Sequence, residues 1–314
     1  MRFSRACVTG GAGFIGSKLV RRLLELGCQV RVIDNLSVGR RENVPAGAEL
    51  VVGDILNAAQ MEEAAEGCDI LFHLAARVAI RSSFEFVVED TTVNVAGTAA
   101  ALRAAQKAGT VKRVVSTSSM AVYSDAAGPV AVAESHPTVP VSPYGVSKLA
   151  SESLVHLLAA QAGMESAVLR LFNTYGPGQK YSPYVGVVTI FVNRLLAGER
   201  ATIFGDGRQA RDFVHVEDIV SGFIAAMESS ASGETFNIGT GRAATVNDVH
   251  RLVAAHMGVD RAPVHAVAVP GELRYSVADI SKARRLLGYE PKHRFDESIG
   301  IVIDEILAGS GVAG

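Results

Sequence analysis

The sequence predicts an α/β protein: a doubly wound, mostly parallel sheet with helices on both faces, joined by a smaller α/β region toward the C-terminus. Three observations lead there. Short apolar runs alternate with longer helical stretches from the N-terminus onward. A glycine-rich turn separates the first apolar run from the first helical stretch. The chain has 314 residues, 48% apolar and 20% charged, which suffices for a sizeable core in one large domain or two small ones.

The elements are read in order. Residues 6–8, 30–33, 50–52, 70–72 and 114–115 are short apolar runs of the kind that form buried strands. Between them, 16–26, 57–65 and 92–108 carry helical spacing. Another helix follows Tyr144 and runs to about 162, and a strand covers 167–171. The character changes at Asn173-Thr174-Tyr175-Gly176-Pro177-Gly178, a loop signal. Beyond it Gly205-Asp206-Gly207, Gly239-Thr240-Gly241 and Pro270-Gly271 punctuate shorter elements. The expected organisation is a sheet domain over 1–172, rejoined by about 210–232. The smaller region is then 173–209 with 233–314, lying over one edge of the sheet. Open sheets of this type bind ligands at the carboxyl ends of their strands.

Composition narrows the function classes. A formal net charge of −2 offers no field for nucleic acid or an anionic membrane. Cys7, Cys28 and Cys68 have no metal-ligand spacing, and their odd, sparse number suits a reducing, cytoplasmic setting. No run of 18 apolar residues is present, and Met1 to Arg5 lead straight into a strand, leaving no room for a signal peptide.

The glycine turn is Thr9-Gly10-Gly11-Ala12-Gly13-Phe14-Ile15-Gly16, with Gly10, Gly13 and Gly16 spaced GxxGxxG. Glycines permit a tight turn and close approach of backbone to a phosphate, and the helix that follows offers free N–H groups and a positive dipole end. Glycine turns are common by themselves. Here the second strand ends in Asp34, followed by Asn35, about 20 residues past the glycines, where a carboxylate can accept both hydroxyls of an adenosine ribose. The same carboxylate repels a 2′-phosphate, so a Rossmann-type site for NAD is expected, with Phe14 and Ile15 in its loop. Arg40 and Arg41 nearby are the one feature that would suit NADP. Gly53-Asp54-Ile55 closes the third strand and is a candidate for holding the adenine, or else a plain strand-to-helix turn. His73-Leu74-Ala75-Ala76 ends the fourth strand; Leu74, Ala75 and Ala76 let backbone approach the cofactor, whereas His73 reads as structural.

Ser142-Pro143-Tyr144-Gly145-Val146-Ser147-Lys148 places a tyrosine and a lysine four residues apart at the start of a helix, hence on one face. A phenol with a pKa near 10 is a poor base at neutral pH, and a nearby ammonium favours its phenolate. The pair could equally decorate an ordinary amphipathic helix; the upstream nucleotide signals turn it into an acid/base candidate for a substrate hydroxyl.

Taken together, these motifs resemble the extended short-chain dehydrogenase/reductases, in particular the nucleotide-sugar epimerases and dehydratases, and among them the UDP-hexose 4-epimerases. The likeness covers nearly the whole chain. The glycine loop, Asp34, Asp54, Leu74-Ala75-Ala76, Asn94, Ser116-Thr117-Ser118-Ser119, Tyr144/Lys148 and Arg211-Asp212-Phe213-Val214-His215-Val216 follow in the family's order. The resemblance implies that Ser119, with Ser118 as fallback, hydrogen-bonds the reacting hydroxyl. It implies that Lys148 tunes Tyr144 and reaches the nicotinamide ribose, and that Asn94 supports the helix behind the nicotinamide. It places Asn173, Val187 and Val188 in the substrate site, Thr202 and Phe204 around the uracil, and Arg211 on the diphosphate. A second phosphate arginine is absent, its place taken by Val269; Arg274 is the candidate replacement.

The implied reaction is 4-epimerisation of a UDP-sugar by transient oxidation at C4. A 4,6-dehydratase would carry an Asp-Glu pair where this chain has Met120-Ala121, neither able to move a proton. A uronate substrate would want a cation, for which Lys180 or Arg81 is available, so UDP-glucuronate epimerases and decarboxylases stand as alternatives. Ser276, small where bulk would narrow the pocket, keeps UDP-GlcNAc/UDP-GalNAc beside UDP-Glc/UDP-Gal. A non-catalytic NAD sensor is the reading from another class, and the intact Tyr144, Lys148 and Ser119 argue against it. The resemblance further implies a homodimer formed through 92–108 and 147–162, helices whose apolar stripes could instead simply pack on the sheet.

Overall fold

Alternation of β-branched and aliphatic residues with amphipathic helices gives the chain its layers. The computed structural model describes residues 2–78, 80–126, 128–179, 186–268 and 273–309. In order, the sheet domain runs β1 (Arg5–Thr9), α1 (Phe14–Glu25), β2 (Gln29–Asp34), β3 (Glu49–Val52), α2 (Ala58–Ala65), β4 (Ile70–His73), α3 (Val87–Thr91), a π-helical turn (Thr92–Ala96), α4 (Gly97–Ala108), β5 (Arg113–Ser119), α5 (Pro143–Gln161) and β6 (Glu165–Leu171). The chain continues through β7 (Asn173–Tyr175), α6 (Val187–Leu196), β8 (Thr202–Phe204), β9 (Ala210–Arg211), β10 (Phe213–His215), α7 (Val216–Glu228) and β11 (Glu234–Ile238). It ends with β12 (Ala244–Thr245), α8 (Val246–His256), β13 (Val264–Ala266), β14 (Tyr275–Ser276), α9 (Ser281–Leu287) and α10 (Phe295–Gly309).

The main sheet has seven parallel strands in the order β11-β6-β5-β4-β1-β2-β3. Strand order reverses between β1 and β4, and the crevice at their carboxyl ends is where such folds bind ligands. One apolar layer, with Leu19, Val20, Leu23, Ile219 and Phe223, packs α1 and α7 on one face. The other, with Met61, Ala64, Ala101, Leu102, Ala105 and Val155, packs α2, α4 and α5 on the opposite face. A third core, built around Phe191, Val192, Ile203, Val249, Val253 and Ile303, belongs to the smaller region.

The strands lie where the apolar runs placed them, and the helix read at 92–108 starts earlier, at Val87, through the π turn. The return to the sheet also extends past the boundary expected near 232. β11 pairs with β6 from Glu234↔Ala167 to Ile238↔Leu171, so residues 234–238 lie in the sheet rather than in the smaller region. A two-residue-period run this short carries little to distinguish a seventh strand from a cap element. No helix among the described residues is long and apolar enough to cross a membrane. Cys7, Cys28 and Cys68 are buried and in no disulfide.

Candidate active site

The glycine loop does what its spacing requires. At Gly16 a Cβ would collide with the Gly10 carbonyl oxygen, and at Gly10 (φ 72°) it would stand 2.8 Å from the Ala75 nitrogen. The loop, the first turn of α1 and the β4 connection therefore close on one another only because these positions lack side chains. Asp34, at the end of β2, takes the Ala12 N–H at 3.0 Å and the Leu36 N–H at 2.9 Å, which fixes its carboxylate beside the loop. Asn35 donates to Asp54 at 3.0 Å, joining the ends of β2 and β3, and Ile55 is buried against Gly97. A phosphate-approach loop at a helix N-terminus and a carboxylate at the next strand end fit an NAD-type dinucleotide.

His73 proves structural, and its proton can be assigned from its neighbours. Thr98 gives its hydroxyl proton to the Asn94 carbonyl, so it accepts from His73 Nε2 at 3.0 Å. Thr9 accepts the Leu74 and Ala75 N–H groups, both at 3.1 Å, and donates to His73 Nδ1 at 2.9 Å. Burial and the Lys148 charge push this ring down to about 3, so it stays neutral and pins the Leu74-Ala75-Ala76 backbone against Gly10. Asn94 acts in support as well: its amide spans Arg77 N and O at 2.8 and 3.2 Å, and it donates to Ser147 at 3.0 Å.

A cavity of about 220 Å³ opens beside this crevice, lined by Val78, Ile80, Ser119, Met120, Tyr144, Leu171, Phe172, Asn173 and Gly186. Strand alternation decides between the two serines. Ser118 points away and donates to Glu152, in a buried network where Arg170 grips Glu152 at 2.7 and 2.9 Å and reaches the Tyr123 hydroxyl at 2.8 Å. Ser119 faces the cavity alongside Tyr144, and its hydroxyl oxygen accepts the Ala121 N–H at 3.2 Å. Asn173 presents a buried Oδ1 that no described residue satisfies, in a residue lining the same cavity. Met120 lines it without any group that could move a proton.

The electrostatics are less simple than the spacing of the pair implied. Burial pushes the Tyr144 phenol up to about 12; the Ser119 hydrogen bond pulls it down and the Asp90 charge adds to the rise. Burial pulls Lys148 down to about 8, opposed by Glu152 and Asp90. Lys148 donates to Thr117 at 3.5 Å. Desolvation thus dominates both shifts in the protein alone. Asp90, buried and bonded by Ser147 at 2.6 Å, is a charge that the sequence reading missed. Its only local signal is its place one helical turn before Asn94.

The smaller region holds the other expected residues. Phe204 on β8 is half-buried, with the Arg81 guanidinium 5.5 Å from its ring centroid, and Thr202 on the same strand meets Arg194 at 3.3 Å. Arg211 is half-buried on β9, and the neighbouring Asp212 binds Thr240, Gly241 and Ala278 through its two oxygens. Arg274 holds Asp206 in an exposed two-pronged ion pair, 2.7 Å on each prong. Val188 is core, packed with Phe191, and Val187 is partly buried beside cavity-lining Gly186. Ser276 is buried beside Arg211 in the β12-β9-β14 sheet and does not line the cavity. Lys180 and Val269 lie outside the described residues.

Residues 6–239 match the model of the NAD dependent epimerase/dehydratase family. The chain belongs to that family. Among its relatives, a UDP-glucose 4-epimerase of Mycolicibacterium smegmatis is 37% identical, with 96% of this chain and 97% of the relative covered. Among solved structures, the family member from Thermotoga maritima described as a UDP-glucose 4-epimerase with UDP-glucose superposes with a TM-score of 0.92 at 36% identity, covering 98% and 99% of the two chains. The Thermus thermophilus UDP-glucose 4-epimerase in complex with NAD gives a TM-score of 0.89 at 34% identity, with 98% and 100% covered.

Proposed function

We propose that this family member is an NAD-dependent UDP-glucose 4-epimerase, interconverting UDP-glucose and UDP-galactose. The observation that carries this reading is the cavity itself, which joins Ser119, Tyr144 and the unsatisfied Asn173 carbonyl while offering Met120 where elimination would need an acid. The glycine loop and Asp34 would hold NAD, which when bound would supply the hydride acceptor and donor for the sugar C4. Tyr144 takes the proton of the 4-hydroxyl as the C4–H bond breaks, and returns it when the keto group is reduced. Ser119 holds the reacting oxygen beside Tyr144, and Lys148 contributes positive charge that favours the phenolate. The sheet domain, including its return through β11, holds the dinucleotide. The smaller region grips the nucleoside diphosphate through Asn173, Phe204 and Arg211, so binding energy falls on the part of the substrate that does not react and the sugar is free to turn.

Two observations favour the neutral hexose. Arg81, the cation offered for a uronate carboxylate, rests against Phe204, the wall expected for the uracil. Ser276, the small residue offered for an acetamido group, is set away from the cavity lining.

We further propose a cytoplasmic homodimer, supported by buried cysteines that form no disulfide and by apolar side chains left exposed along α3 and α5. Incubation with UDP-glucose, with and without added NAD, tests the reaction: UDP-galactose should form with no net NADH. Tyr144→Phe should lower kcat by about 10²–10⁴-fold, the usual contribution of a positioned acid/base group. A 4-keto-6-deoxy product, or full activity in Tyr144→Phe, would overturn the proposal.

A further inference from the structure

Tyr144 is the second residue of α5, where a helix leaves its first N–H groups without partners inside the helix. Ser142 takes the Gly145 N–H at 3.1 Å, and Pro143 has none to offer. The Tyr144 N–H goes to Ser83 Oγ at 3.2 Å. Ser83 lies 61 residues earlier in the chain, in the short 3₁₀ turn Ser82–Phe84 that follows Val78 and Ile80 of the cavity wall. It is only 2% exposed, and its own proton goes to the Ile80 carbonyl at 2.7 Å, which leaves its lone pairs to accept from Tyr144.

The Tyr144 carbonyl is held within α5. Ser147 shares its proton between that carbonyl, at 3.0 Å, and Asp90 at 2.6 Å, and accepts from Asn94 at 3.0 Å. The Tyr144 N–H is therefore tied directly to the connection between β4 and α4, the stretch that also supplies one wall of the cavity, and its carbonyl is tied to it only through Ser147 of α5.

We propose that Ser83 is a positioning residue for Tyr144. It caps the helix across the cavity and fixes the phenol relative to Ser119 and to the wall at Val78 and Ile80. The inference rests on the reading of Tyr144 as the acid/base group of the proposed reaction. Loss of the cap leaves a buried N–H unsatisfied and lets the first turn of α5 shift. A shift of this kind costs rate and leaves nucleotide binding alone, because the proposed diphosphate and uracil contacts lie in the other region.

The test compares Ser83→Ala, Ser83→Thr and Tyr144→Phe in the full-length protein with NAD bound. Ser83→Ala should lower kcat by about 10–100-fold, since a misplacement of about 1 Å can cost up to about 10²-fold. KM and the Kd for UDP should stay within about twofold, the signature of an interaction that acts on the transition state. Ser83→Thr keeps the hydroxyl and should recover most of kcat. Ser166→Ala, another buried serine, on β6, serves as a control and should leave kcat unchanged. If Ser83→Ala retains kcat while Tyr144→Phe loses it, this inference fails alone. If Tyr144→Phe keeps full activity, the catalytic reading fails with it. A parallel loss of kcat, UDP affinity and melting temperature in Ser83→Ala, or a Ser83→Thr no better than Ser83→Ala, would assign Ser83 to general stability and overturn the inference.

Discussion

Tyr144 sits in a site that resists ionising it: burial holds the phenol near 12, while the cation one turn away is itself drawn down to about 8. Lys148 is the titration to watch. As an amine its charge is complete below about 8 and is lost as the pH rises through that value, and with it goes its help to the phenolate. The kcat of the proposed reaction should therefore fall above about pH 8, in a pH–rate profile recorded at saturating UDP-glucose. Lys148→Met should lie about 10²-fold or more below the wild type and lose that limb. A profile flat to pH 9.5 would mean that Lys148 does not supply the charge. At this scale the sequence was legible where chemistry forces a residue type. Gly10 and Gly16 cannot carry a Cβ and Asp34 had to end its strand, whereas Ser119 entered only through the family resemblance. Ser83 and Asp90 were not legible, because a cap donated from 61 residues away and a carboxylate buried by tertiary packing leave no local pattern.

Elements carry the next level of control. β5 presents alternate side chains to opposite sides, so Ser119 enters the cavity only while Ser118 is anchored on the far side. The anchor is the Glu152–Arg170 pair, both members less than a tenth exposed, linking α5 to β6 and through Tyr123 to Asn237 on β11. Removing one partner of such a pair strands a buried charge and costs about 3–5 kcal/mol. Glu152→Ala should lose stability on that order in denaturant unfolding, whereas a change below about 1 kcal/mol would place the pair among weak surface bridges. The alternation of strand and helix was readable from periodicity because most sheet strands are short apolar runs set off by amphipathic helices. Glu152 and Arg170 were invisible to that reading, since charged residues in a helix and a strand look solvent-facing until packing brings them together. The seventh strand escaped notice for a related reason: Glu234–Ile238 is a short strand whose place beside β6 is set by pairing across the fold, not by its own pattern.

Among the described residues, an apolar surface is left uncovered on the side of the sheet opposite α1 and α7. Val87 and Val146 line a shallow hollow with Pro140, Val141 and Pro143, and Val88, Val146 and Leu157 are 74%, 55% and 66% exposed. Val146 and Leu157 are three helical turns apart on one face of α5, so the stripe runs roughly 16 Å along the helix. An exposed apolar stripe of this length is costly in water, and the homodimer proposed above would cover it. A second copy is the simplest occupant, since a two-fold axis lets the same stripe meet itself. The stripe lies on the helix that carries Tyr144 and Lys148, so pairing would stiffen α5 without entering the cavity. A charge at its exposed end should break the pairing: Leu157→Arg should elute and scatter as a monomer where the wild type behaves as a dimer at the same concentration. Its kcat should fall far less than that of Tyr144→Phe, because Leu157 lies several turns beyond the cavity. A wild type that is monomeric at micromolar concentrations, or a Leu157→Arg variant that stays dimeric, would remove this face as the interface.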